Sequence, residues 1–188
     1  MRRRTCVHSE CISEDQLSII NLFRKLWEQH ANWTRAFIVS AVAGLEDLDV
    51  VTQRLLRNPT DFANVLRNYY GDEKAKKFEK LLSDHLLLAA DLLNAAKAGD
   101  EEAADMARRK WYFNASDIAL FLSEINPYWS EDRWKILLFD HLRMVEEIAT
   151  LRMQGQYARE IPVTDMNEER ALSMADYLAA GIIRQFSL

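Results

Sequence analysis

The chain has 188 residues, 49% of them hydrophobic, with five glycines, three prolines and a net charge of −5. That length suits one compact domain with a sizeable core, and so few turn residues exclude a fold of many short strands. The acidic balance argues against a nucleic-acid partner, which would require a basic face, and no apolar run approaches the ~20 residues that a membrane-spanning helix needs.

Residues 1–13 are expected to form a disordered tail. The basic run Arg2, Arg3, Arg4 has no apolar stretch behind it and does not read as a secretory signal. Cys6, His8 and Cys11 are metal-ligand residue types but lack the paired spacing of a zinc site, and two cysteines make no disulfide framework. A cytoplasmic location is expected.

Hydrophobic spacing over 14–188 is helical, and no low-complexity linker divides it, so one domain is expected there. The pattern predicts helices at about 14–43, 46–70, 73–98, 100–125, 130–154 and 165–186. Gly44, Gly71, Gly99, Asn126-Pro127 and Gly155 separate them. Segment 156–164, with Pro162, reads as irregular, and Thr164 or Asp165 as the cap of the last helix. Asn58 with Asp61, and Asn114 with Asp117, read as helix starts, so breaks are expected inside the second and fourth helices.

An internal repeat organises the chain. Leu81, Leu82, Asp84, His85, Leu86 and Gly99 recur 56 residues later as Leu137, Leu138, Asp140, His141, Leu142 and Gly155. Phe23, Leu26, His30 and Gly44 stand 55 residues before Phe78, Leu81, His85 and Gly99. The fold expected is all-α: an up-and-down bundle of about six helices from three tandem α-hairpins, ferritin-like or haemerythrin-like in style.

Three of the four histidines, His30, His85 and His141, fall at the centre of equivalent apolar stripes, each 14 residues before its turn glycine. If alternate helices run parallel, the three lie at one height. Neutral imidazole is a common ligand for zinc, iron or copper, and a metal would satisfy three rings buried in one layer. Core histidines satisfied by carbonyls or carboxylates are the competing reading. Asp176, inside an apolar helix and unexplained by any cap, is the carboxylate expected to face inward as a further ligand. Asp84 and Asp91, like Asp140 and Glu147, read as a charged edge or as groups orienting the imidazoles. Arg35 reads as a surface arginine or as an anion contact beside the site.

No Gly-rich phosphate loop, HExxH or nucleophile elbow is present, so no nucleotide cofactor is expected and no reaction is assigned. Trp27, Leu82 and Leu138 stand where di-iron carboxylate bundles place the Glu of Glu-x-x-His.

The strings LWEQHANWTRAFI, RLLRNPTDFANVL, SDHLLLAADLLNAAKAGD, INPYWS, FDHLRMVEEI and MADYLAAGIIRQF resemble a family of small all-helical proteins from spore-forming Firmicutes, of unsettled function, over about residues 20–188. Some members are labelled acetylglutamate kinase; amino-acid kinases are α/β with Gly-rich nucleotide loops, and this chain has neither. The Asp-His-Leu element is also similar to bacterial ferritin-like proteins of paired hairpins, some of which hold metal. That likeness implies His85 and His141, and by the repeat His30, as ligands. The sequence therefore suggests a bundle holding iron or zinc at His30, His85, His141 and Asp176. The alternative is a non-catalytic structural or interaction module with core histidines. A homo-oligomer is compatible with either.

Overall fold

The computed structural model describes residues 12–188; the basic run and the Cys6, His8, Cys11 group lie outside the described residues. Helix α1 (Glu14–Ala43) is followed by α2 (Leu48–Leu56), α3 (Asn58–Ala98), α4 (Glu101–Ile125), α5 (Glu131–Met153) and α6 (Tyr157–Phe186). There is no strand among the described residues, and the fold is all-α. None of these helices is long and apolar enough to cross a membrane.

Local chemistry sets most of the boundaries. Ser13 caps α1 in a reciprocal box with Gln16, and Gly44 ends that helix at φ 65°. The side chains of Asp100 and Ser130 cap α4 and α5 through the amides of Ala103 and Arg133. Within α3, Gly71 adopts φ 80°, ψ 174°, a conformation open essentially to glycine alone. It divides α3 into arms 58–70 and 72–98, where the sequence placed a boundary.

Two expected boundaries are corrected. α2 does end just before Asn58, but α4 runs unbroken through Asn114. Residues 157–164 are helical, with Gln156 as the cap, so neither Thr164 nor Asp165 caps a helix. The reason is tertiary: Glu160, fully buried in the first turns of α6, receives Arg35 Nε of α1 at 2.9 Å and Arg152 of α5 at 3.1 Å. Pro162 removes one backbone donor near a helix start, a loss that this clamp outweighs.

α6 lies between α1 and α5, while α4 packs on α3 and α5. Gln16 near the start of α1 donates to the carbonyl of Leu188 at 2.7 Å, so α1 and α6 are antiparallel. Lys97, at the end of α3, donates to the carbonyl of Ala41 at the end of α1. The second arm of α3 thus runs parallel to α1, and the short turns make α5 parallel to both.

The loop before α5 is locked from the side. Trp129 is buried and its indole donates to the carbonyl of Tyr177 at 3.1 Å. A Cβ at Gly181 would lie 1.8 Å from Trp129 Nε1. Gly181→Ala is therefore expected to destabilise the protein by about 1–3 kcal/mol, although alanine is the better helix former. Urea melts check this; an unchanged or raised midpoint would show that Trp129 is free to move aside.

Candidate functional site

The apolar stripes of α1, α3 and α5 bury His30, His85 and His141 to 3% exposure or less. All three line one small cavity of about 10 Å³, with Trp27, Leu82, Trp134 and Leu138 among its other walls. That is the size of a single water. The ring centroids of His30 and His141 are 5.4 Å apart.

Each histidine has the same kind of partner on another helix. His30 Nδ1 is 3.1 Å from Asn58 Oδ1, His85 Nδ1 is 2.8 Å from Asn114 Oδ1, and His141 Nδ1 is 2.7 Å from Asn167 Oδ1. The amides are themselves oriented: Asn58 Nδ2 donates to the carbonyl of Leu26 and Asn114 Nδ2 to that of Leu81, both at 3.1 Å. Those carbonyls belong to the residue one turn before each histidine. An amide oxygen only accepts, so Nδ1 carries the proton in each ring and Nε2 keeps its lone pair. For His85 this is fixed from both sides, because Trp111 Nε1 donates to His85 Nε2 at 3.1 Å.

Burial disfavours the charged ring. It pushes His30 down to about 4 and His85 to about 3, against the opposing pull of their asparagines. His141 is also held well below the usual range, by burial first and then by the other two histidines. Three neutral imidazoles therefore share the core at physiological pH.

Comparison with known protein families, curated proteins and solved structures gives no match.

Asp176 is not part of it. Its carboxylate lies on the surface, 47% exposed, and receives Arg24 through two bonds of 2.7 and 2.8 Å. Its place on α6 is one residue past the buried stripe marked by Met174, Ala175 and Leu178. Asp84 pairs with Lys80 and Asp140 with Arg170, as a charged edge does. Arg35 is neither free surface nor anion contact: it is spent on Glu160. Among the described residues, no three His, Cys, Asp or Glu side chains are grouped so as to hold a metal ion.

The asparagines and Trp111 are the functional groups that sequence reasoning missed. Asn58 and Asn114 carried a signal, because both recur at the repeat offset, but capping explained them equally well. Asn167 carried none while its segment was read as the beginning of a helix. Trp111 also walls an open apolar cleft of about 70 Å³ between α1, α3, α4 and α5, so one ring joins that cleft to the histidine layer. Thr34, buried in the same wall, has no hydrogen-bond partner for Oγ1.

Proposed function

We propose that this chain is a non-catalytic helical interaction module, and that its histidines form a buried polar layer which specifies how the helices pair. The observation that carries this reading is the saturation of His85, with Asn114 on one ring nitrogen and Trp111 on the other. A fully satisfied buried network rigidifies a core, and a displaced register would leave several polar groups unpaired at about 1–3 kcal/mol each. The His–Asn pairing, made three times, supports an origin by tandem hairpin duplication. The net charge of −5 supports a protein without a nucleic-acid partner.

A second reading has its own support. Anchoring of Nδ1 by an oriented acceptor is the arrangement that prepares histidine Nε2 to ligate a metal, as in metal-holding helical bundles of ferritin-like style. His30 meets that condition through Asn58, His141 Nδ1 has Asn167 Oδ1 at 2.7 Å, their rings are 5.4 Å apart, and burial keeps them neutral. Iron or zinc at His30, His85 and His141 would require Trp111 to release His85. It would also place a dication among neutral groups, since Asp176 is elsewhere, and that is costly in a low-dielectric interior.

Metal analysis of untagged protein, followed by zinc and iron(II) titration, separates the two. The interaction-module reading expects no stoichiometric metal and no change in Tm with either ion. One equivalent of metal that is lost on His141→Ala in a protein that stays helical would establish the metal reading instead.

A further inference from the structure

Helix α4 turns Trp111, Asn114, Ile118 and Leu122 into the core. On its outer face Met106, Phe113 and Leu120 are 51%, 68% and 44% exposed. Single exposed apolar residues are ordinary, but these three are spaced by seven, which sets them in one line along the helix with Arg109, Lys110, Ser116 and Asp117 between them.

The charges beside the seam are informative. Arg108, on the side of α4 toward α5, pairs with Asp105 and Glu146. Among the described residues, Arg109, Lys110 and Asp117 have no ion pair, although they flank Phe113 on its exposed side. We infer that the α4 face is a self-association surface that pairs antiparallel with α4 of a second copy, about a two-fold axis at Phe113. That arrangement stacks Phe113 on Phe113 and sets Met106 against Leu120 of the second copy. It also brings Lys110 of each copy to Asp117 of the other, twice by symmetry, and sets Arg109 against Ser116. A parallel pairing would put Arg109 on Arg109 and Lys110 on Lys110. Glu102 and Glu124 meet only at the ends of the seam, and Lys77 already lies 3.9 Å from Glu124.

A seam of one helix face about 21 Å long is at the small end of protein interfaces, so the dimer is weak and depends on concentration. This gives the interaction-module reading a partner. It stands on surface residues alone, so its failure leaves the metal test untouched.

Sedimentation equilibrium over the micromolar to submillimolar range tests it. The native chain is expected to pass from monomer to dimer, and Phe113→Glu to stay monomeric with an unchanged circular dichroism spectrum and Tm. Asp117→Lys should weaken the dimer by about 10-fold, because two symmetry-related attractions become repulsions. Adding Lys110→Asp to Asp117→Lys should restore it. A native chain that is monomeric throughout, a dimer indifferent to Phe113→Glu, or a charge swap that fails to restore association overturns the proposal.

Discussion

Acidifying the protein from pH 7 to pH 5 is expected to remove about 6 kcal/mol of folding stability through its three core histidines. The sign follows from their depressed pKa values. Unfolded, each ring titrates near 6.5; folded, His30 titrates at about 4, His85 at about 3 and His141 well below the usual range. Below pH 6.5 the unfolded chain binds protons that the folded chain refuses, so stability falls as pH falls. The loss continues for each ring until its folded pKa is reached. Each ring contributes about 2 kcal/mol between pH 7 and 5, and three such losses rival the whole stability of an ordinary domain. Urea melts at steps across that window measure it, with the slope giving about three protons taken up on unfolding. A flat profile between pH 6.5 and 5 would mean that the rings are hydrated or charged in the native state. The choice of window matters, because most carboxylates stay ionised above pH 5 and add little of their own.

The second large effect is expected at a residue that the sequence offered as loop. Glu160→Ala should cost about 3 kcal/mol, since it deletes two charge-assisted hydrogen bonds, each of which contributes about 1.5–3 kcal/mol. The full cost of orphaning a buried charge does not apply, because Arg35 and Arg152 are 33% and 21% exposed and regain water. Glu160→Gln keeps the volume and should cost less. Asp176→Asn is the internal comparison: it breaks a bidentate pair whose partners are both 47% exposed, and should cost at most about 1 kcal/mol. Equal effects at Glu160 and Asp176 in chemical denaturation would contradict the burial of one and the exposure of the other. The Glu160 clamp also has a local signature. Without it, backbone amides of 157–164 should exchange faster with solvent, while those of α3 and α4 keep their protection.

The histidine layer itself was legible before any coordinates. A seven-residue stripe written three times identifies which face of a helix turns inward, and equal distances from the turn glycines identify height. Periodicity is a property of one helix and needs no knowledge of its neighbours. The same is true of Gly44 and Gly71, whose effects act within a few residues of backbone.

What periodicity does not encode is the partner across an interface. His30 meets Asn58, His85 meets Asn114 and His141 meets Asn167 through contacts between helices. The sequence assigned Asn58 and Asn114 a local job that either could perform. An asparagine fits a helix cap and a buried histidine equally well, and only packing decides between them. Asp176 was misplaced for a related reason. One residue of helix is 100° of rotation, so a carboxylate beside a buried stripe faces solvent when a basic residue on the next helix, here Arg24, awaits it there. Segment 156–164 shows the reverse case. Its local signals, Gly155 just before it and Pro162 within it, opposed a helix, and Arg35 from α1 with Arg152 from the end of α5, closing on Glu160, made one. Local propensities are worth a few tenths of a kcal/mol to about 3 kcal/mol per residue, and a buried clamp between three helices is large enough to override them.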